Sequence, residues 1–536
     1  MAVLRSVLGS LVGVYCCSQL AAAYVVGNPV SLPGYQHVFP NPARVDVLPP
    51  KFQPADEQQQ QQPAEPLVPN GLEDWIKDQR KTSMRFLLEN IAPNGSNARG
   101  AAPGSVIASP SKDAPNYYYQ WVRDAAITMA EVVAEYGETK DESLKAIIED
   151  YAKLQDSIQN TFNPSGGYTT GGLGEPKFMI DGAPFTENWG RPQRDGPALR
   201  ALTLMNYVRM LNETDPSLIS HDWLRKLYDG KFPTRSVIKA DLEYISHSWN
   251  LTGFDLWEEV KDLHFYTALV QHKALVEGRE LAVVLGDSAA GVWYESQRHE
   301  LRKFLTTSFW NKERGHLVAY LDTRYRSGID CSLLLASLHG SQEDLFPPWS
   351  DEILASLAVL VADMAERHPI NKQTPPFYPE GRLRGVGIGR YPEDRYDGVG
   401  LGEGNPWFLC TSSVSNILYN TIERFLEQGY FDINDMNLGF YQRLHPTGNA
   451  VTGRYTAGQP EFKNYLTDMF KYADSFLNVI RWHATPEGRL SEQFNKYSGW
   501  QRGAKDLTWS YGSFTSAADD REVAKKALVR GMAVAA

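Results

Sequence analysis

Seven stretches of this chain repeat apolar residues at i, i+3, i+4 and i+7, a spacing that suits packed amphipathic helices and little else. Val122, Ala125, Ala126, Met129, Val133 and Tyr136 form the first stripe, and Gly137 is expected to stop it. Leu144, Ile147, Ile148, Tyr151, Leu154 and Ile158 form the second, which ends at Asn163-Pro164. Ala201/Leu204/Met205/Val208, Phe265/Ala268/Leu269/His272/Val276 and Ile353/Leu357/Leu360/Val361/Met364 follow. Phe408/Ser415/Leu418/Ile422/Phe425 and Phe462/Leu466/Met469/Phe470/Ala473/Leu477 complete the set. Period-two alternation is confined to short pieces near Leu317 to Leu321, so the fold class is all-α. The longest connections, Tyr168 to Pro197 and Phe377 to Pro406, are rich in Gly, Pro and aromatic residues. Loops of that length are usually functional. Helices joined by such loops predict a toroid of paired helices with a site at one end, and the lack of a fixed period excludes a solenoid.

The first seventy residues read differently. Arg5 gives a positive start, Val7 to Val14 is apolar, and Ala21-Ala22-Ala23 looks like a small-residue cleavage site, so residues 1–23 are expected to be a secretory signal peptide. Ser18 and Gln19 interrupt the run before it could span a bilayer, and no membrane partner is expected. Residues 24–70 carry frequent Pro and the polar run Glu57 to Gln62; they read as a propeptide or flexible arm, with the folded domain over 71–536. Sequons at Asn94, Asn212 and Asn250 are expected glycosylation sites of a secreted chain. Cys16 and Cys17 would leave with the signal. Cys331 and Cys410 each sit in an apolar, helix-like stretch, which reads as two buried free thiols rather than the one disulfide they could form. A net charge of -11 opposes a phosphate backbone and excludes nucleic acid as partner.

Several familiar motifs fail. His299-Glu300 lacks the second His of a zinc-protease helix, and Gly286-Asp287-Ser288-Ala289-Ala290 lacks the last glycine of a nucleophile elbow. The glycines at 385–389 and 398–404 match no phosphate loop and read as turns. No metal and no cofactor are expected. The carboxylates are more informative. Thr252-Gly253-Phe254-Asp255-Leu256-Trp257-Glu258-Glu259 packs three carboxylates and an indole into five residues, and Glu492 lies seventeen residues before Trp509. An indole face stacks on the apolar face of a pyranose while carboxyls move protons at a glycosidic oxygen. On a helix Glu258 and Glu259 would point about 100° apart and could not serve one atom together; as plain structure they would be acidic residues in a helix's first turn. Tyr117-Tyr118-Tyr119-Gln120-Trp121-Val122-Arg123-Asp124 runs aromatic residues into an Arg-Asp pair, a sugar platform or a capped core helix. Gly389-Arg390-Tyr391-Pro392-Glu393-Asp394 is a third cluster, near Asn405-Pro406-Trp407.

Together these segments resemble the fungal glucoamylases, the glucan 1,4-α-glucosidases of glycoside hydrolase family 15. The resemblance runs through Tyr117 to Asp124, Gly172 to Phe178, Trp189 to Pro197, Asp255 to Glu259 with Gln271-His272, Gly389 to Asp394, Asn405 to Cys410, Leu490 to Gln493 and Asp506 to Tyr511. It implies an (α/α)6 barrel. It implies Glu258 as general acid, Glu492 as general base, and Asp255 as a supporting group and candidate proton acceptor. Arg123, Asp124 and Arg390, the last beside Asp394, would hold the terminal glucose. Glu259 would bind the sugar beyond the cleaved bond. Tyr117, Trp121, Trp189, Leu256, Trp257 and Trp509 would line the pocket. The implied reaction is inverting release of β-glucose from non-reducing ends of α-1,4-glucans, with slower α-1,6 cleavage, by a secreted monomer. A proton-holding acid and an ionised base imply an acidic pH optimum with two limbs. The segment Val260-Lys261-Asp262 lacks the family's small residue, and no Ser/Thr-rich linker or starch-binding domain is seen, so soluble α-glucans are the expected substrates. The alternatives are a trehalase-like inverting α-glucosidase in the same fold and a non-catalytic carbohydrate-binding relative; keeping both Glu258 and Glu492 argues against the latter.

Overall fold

The apolar stripes become helices that alternate between two concentric layers. The computed structural model describes residues 71–373, 384–444 and 450–533. Its helices are α1 (Leu72–Glu89), α2 (Val122–Thr139), α3 (Glu142–Asn160), α4 (Asp195–Thr214), α5 (His221–Leu227), α6 (Val237–Ser248) and α7 (Phe265–Val284). They continue as α8 (Ser288–Ser308), α9 (Ser332–Gly340), α10 (Asp351–Arg367), α11 (Phe408–Gln428), α12 (Leu438–Leu444), α13 (Pro460–His483) and α14 (Thr508–Ala533). Helices α2, α4, α7, α9, α11 and α14 pack side by side in that order, and α14 closes back onto α2. Outside them, α3 backs α2, α6 backs α4, α8 backs α7, α10 backs α9, α13 backs α11, and α1 backs α14. This is the expected (α/α)6 barrel, with α5 and α12 as short connecting helices.

The apolar stripe runs through helices of both layers, and exposure decides how clean it is. Outer helices face solvent on one side, so α3 buries Leu144, Ile148, Tyr151 and Ile158 and keeps a clean stripe. Inner helices are covered on both sides. Helix α9 buries Ser332 through Ser337 without a break, so no stripe marks it. Local chemistry sets the ends. Asp141 caps α3 by accepting from the Ser143 amide, and Asp287 caps α8 by accepting from Ala290. Gly429 ends α11 in the left-handed conformation. Gly137 does not stop α2; the helix runs on to Thr139 and ends at Lys140, whose φ is 56°. The alternation near Leu317 is a two-residue strand, His316–Leu317, paired with Trp310–Asn311.

The inner helices share one direction. Trp121, Trp407 and Trp509, at the starts of α2, α11 and α14, line a cavity of about 750 Å³. Farther along, Glu131 of α2, Asn206 of α4, Lys273 of α7, His339 of α9, Asn416 of α11 and Asp520 of α14 line a second cavity of about 760 Å³. Trp509 lines both. Asn94, Asn212 and Asn250 are exposed. The signal segment and the arm at 1–70 lie outside the described residues, as do residues 374–383 of the second long loop. No described helix is long and apolar enough to cross a membrane.

The reading of two free thiols is overturned. Cys331 and Cys410 form a disulfide, with Cα atoms 5.8 Å apart across a sequence separation of 79. Cys331 precedes α9 and Cys410 is the third residue of α11, so the pairing follows from these helices being parallel neighbours in the ring. Sequence spacing cannot show that neighbourhood. The double variant Cys331→Ala/Cys410→Ala is expected to lose about 2–4 kcal/mol of stability, because the unfolded chain regains the closed loop's freedom. Chemical denaturation checks this, and an unchanged midpoint would contradict the staple.

Candidate active site

Glu258 stands on a strained turn. Residues 253–254 and 261–262 pair as a short antiparallel ladder, and residues 255–260 form its tip, not a helix's first turn. Asp255, 3% exposed, accepts from the amides of Glu259 at 2.7 Å and Val260 at 2.8 Å. Its own amide donates to the Val260 carbonyl, and the Glu258 amide donates to the Asp255 carbonyl. These bonds hold Glu258 at φ +68°, a left-handed conformation that costs a non-glycine residue about 1–3 kcal/mol. The Trp121 indole donates to Glu258 Oε1 at 2.6 Å and the Gln193 amide to the same oxygen at 3.0 Å. Both donors converge on Oε1, so a proton on the carboxyl belongs on Oε2.

Glu492 approaches the cavity from the other end of the sequence. It precedes the strand piece Gln493–Phe494, which pairs with Gln501–Arg502. Gly503 follows that ladder at φ +76°, and a Cβ there would collide with Glu492 Oε2, so only glycine leaves room for the carboxyl. Tyr117 donates to Oε1 at 2.9 Å and Tyr396 to Oε2 at 3.3 Å, with the two hydroxyls 3.1 Å apart. The side chain is fully buried. A base held ionised calls for hydrogen-bond donors, and the donors are present. Burial nevertheless outweighs Tyr117, Arg390, the Ala504 backbone and Tyr396, and pushes the carboxyl up to about 8.

Two charged clusters and an indole–carboxylate pair frame these carboxyls. Arg123 donates to Gln193 at 2.8 Å and to Asp195 at 3.1 Å. Its Nε lies 3.4 Å from Asp124 Oδ2, yet both atoms are buried without a hydrogen-bond partner. Burial lifts Asp124 to about 6 against the pull of Arg123. Arg390, 3% exposed, forks onto Asp394 at 2.8 and 2.6 Å and reaches Glu259 at 2.8 Å. Burial works against the Glu259 charge, but Arg390, the Tyr391 hydroxyl and Arg326 hold it below the usual carboxylate range. The Trp257 indole donates to Asp330 at 3.1 Å and packs on Trp407 at 5.5 Å.

One cavity takes up Tyr117, Trp121, Arg123, Asp124, Trp189, Leu256, Trp257, Glu258, Glu259, Arg390, Glu492 and Trp509. Asp255 and Asp394 do not line it: the first ties the Glu258 turn and the second anchors Arg390 and the Tyr396 amide. Tyr396, Gln193, Lys177 and Trp407 are among the lining or supporting residues that carry no role from sequence. Gln193, Lys177 and Trp407 lie inside resembling segments, the signal by which they could have been found. Buried orphan atoms recur in the walls, including Asp124 Oδ2, Arg123 Nε, Trp189 Nε1 and Trp407 Nε1. Unpaired buried polar atoms are costly and suit a ligand rich in hydroxyls.

The comparisons with known proteins agree with one another. The profile described as glycosyl hydrolases family 15 matches residues 81–519. A probable glucoamylase of Schizosaccharomyces pombe is 36% identical over 85% of this chain and 93% of its own. An intracellular, sporulation-specific glucoamylase of Saccharomyces cerevisiae is 34% identical over 84% of this chain and 85% of its own. The solved glucoamylase of Saccharomycopsis fibuligera superposes with a TM-score of 0.78 at 34% identity, covering 85% of this chain and 96% of that one.

The turn makes its own prediction. Asp255→Ala leaves two amides unpaired beside a strained residue and is expected to cost about 2–4 kcal/mol. Urea denaturation measures it, and a midpoint equal to wild type would mean that other contacts hold the turn.

Proposed function

Because the chain belongs to glycosyl hydrolase family 15, we propose that it acts as a glucoamylase that removes single glucose units from non-reducing ends of α-1,4-glucans with inversion. The observation that carries the reading is that Glu258 and Glu492, 234 residues apart in sequence, line one aromatic-walled cavity. Inverting hydrolysis needs two carboxyls about 6.5–9.5 Å apart, with water between the second and the sugar.

In this reading Glu258 gives the proton on Oε2 to the glycosidic oxygen, and the C1–O bond breaks. Water attacks C1 from the opposite face and loses its proton to Glu492. The product is β-glucose plus the shortened glucan. Trp121 and Gln193 hold Oε1 and thereby aim Oε2. Tyr117 and Tyr396 support the carboxylate form of Glu492 and orient it. Arg123 and Asp124 bind hydroxyls of the terminal glucose with their orphan atoms, helped by Arg390. Glu259, fixed by Arg390 and Arg326, meets the sugar beyond the cleaved bond. Cleavage of α-1,6 bonds is slower in this reading. Secretion is part of the proposal and rests on residues 1–23 alone; the intracellular yeast relative marks the other location.

Maltotriose followed by NMR is the direct test. β-Glucose is expected first, and α-glucose first would end the inverting reading. Glu258→Gln is expected to lose at least about 100-fold in kcat, and near-wild-type activity would remove the acid assignment. Rates on trehalose that exceed those on maltose would favour a trehalase-like enzyme in the same fold.

The pH profile tests the base. Burial has already lifted Glu492, so its acidic limb lies nearer neutrality than an acidic optimum implies. Tyr117 donates to the ionised form, and Tyr117→Phe raises the Glu492 pKa further. As pH falls the base is then protonated sooner, and the acidic limb of kcat/KM moves to higher pH. An unmoved limb would mean that another group titrates there.

A further inference from the structure

Lys177 has no part in proton transfer or hydroxyl binding as described above, yet it lines the same cavity and is 2% exposed. Its position follows from a two-residue ladder. Gln120–Trp121 pairs antiparallel with Lys177–Phe178, and Lys177 stands directly opposite Trp121. Opposed residues put their side chains on the same face of a ladder. The lysine therefore reaches along the Trp121 indole, and its ammonium meets the rings of Trp189 at 3.6 Å, Tyr119 at 4.0 Å, Phe185 at 4.1 Å and Trp121 at 4.6 Å. The four rings also pack on each other: Tyr119 with Trp121 and Phe185, and Trp189 with Trp121 and Phe185. A cation attracts ring faces, so one ammonium fixes the tilt of four rings at once.

One of those rings is the indole that donates to Glu258 Oε1 at 2.6 Å. The cage is thus one side chain away from the acid. The charges that bear on Lys177 are Glu258, Glu187 and Arg191. Burial pulls the lysine down to about 8 while Glu258 and Glu187 pull it up, so it remains cationic at acidic and neutral pH.

We propose that Lys177 is a positioning residue for the general acid: its caged ammonium locks the Trp121 and Trp189 indoles in place, and Trp121 in turn holds Glu258 Oε1. The proposal rests on Glu258 being the acid. The ammonium faces rings, so its effect on the reaction passes through Trp121.

Lys177→Met, Lys177→Arg and Glu258→Gln are compared with wild type on maltotriose, with kcat and KM as readouts. Lys177→Met keeps the bulk and removes the charge. Its kcat is expected to fall roughly 10- to 100-fold with KM changed less than about threefold, because a loosened indole misplaces the acid. Lys177→Arg keeps a cation that faces the rings and is expected to recover most of the lost rate. If Lys177→Met does not fold, Lys177→Gln carries the same expectation. A neutral variant with wild-type kcat, beside an inactive Glu258→Gln, overturns the proposal and leaves the acid assignment standing. A loss in Lys177→Arg equal to that in Lys177→Met overturns the role of the charge. An active Glu258→Gln removes the acid itself and the proposal with it.

Discussion

Six helices packed side by side in a ring cannot also pack against a common axis. Neighbouring helices sit about 8–10 Å apart, so each axis in a ring of six lies roughly that far from the centre, while side chains reach only about 5–6 Å from their own helix axis. A column several ångströms wide is left over whatever the sequence. Here it appears as two cavities, one at each end, with Trp509 on the wall of both. The hole is thus a consequence of closure, and sequence decides only its lining. One end is lined by helix starts and by loops that carry indoles and paired carboxyls. The other has Glu131, Asn206, Lys273, Asn416 and Asp520 on helix interiors. Backbone amides that lack partners gather at the starts of parallel helices, which suits that end to a polar ligand.

Closure also explains which staples matter. The ring has no sheet to fix its order, so neighbouring inner helices are tied at their starts. The Cys331–Cys410 disulfide joins α9 to α11. Arg123 at the start of α2 bonds Asp195 at the start of α4, and Cys331 donates its amide to the Arg390 carbonyl. Asp330, just before α9, accepts from Trp257 in the turn that carries Glu258. Arg123, Trp257 and Arg390 of these ties also line the cavity, so the contacts that set the ring also set the site.

Stripes make helices legible in both layers, α2, α4, α7 and α11 in the inner ring and α3, α10 and α13 outside it. Outer helices such as α3 and α13 keep one face in water and their stripes identify them, although α13 runs on to His483, past its last marked position, Leu477. Helix α9 buries both faces and shows no period, and α14 was not marked by any stripe. Gly137 read as a stop, but α2 packs through it and ends three residues later. Twelve of the fourteen residues assigned to catalysis or substrate binding line one cavity, because the resembling segments carried them in a fixed order. Tyr396 carries no role from sequence although it stands two residues past the Gly389–Asp394 motif, nor does Trp407, which lies inside one. A tyrosine's use depends on what stands opposite its hydroxyl, and Glu492 is 96 residues away from Tyr396.

What sequence could not separate is a carboxylate that acts from one that holds. Asp255, Asp195, Asp330 and Asp394 are all buried acids near the cavity, and any of them satisfies a search for sugar-active carboxyls. Their donors are scaffold groups: two amides on Asp255 Oδ1, Arg123 and the Gly196 amide on Asp195, Trp257 and the Ser332 amide on Asp330, and Arg390 and the Tyr396 amide on Asp394. None of the four lines the cavity, whereas Glu258, with both donors on one oxygen, and Asp124, with a buried oxygen that has none, both do. Glu492 lies between: its donors are two tyrosines whose hydroxyls also face each other, and burial still dominates its charge. A place on the cavity wall together with the oxygens that protein donors leave open, rather than residue type or position in a motif, therefore separates the scaffold acids from those left able to meet a ligand.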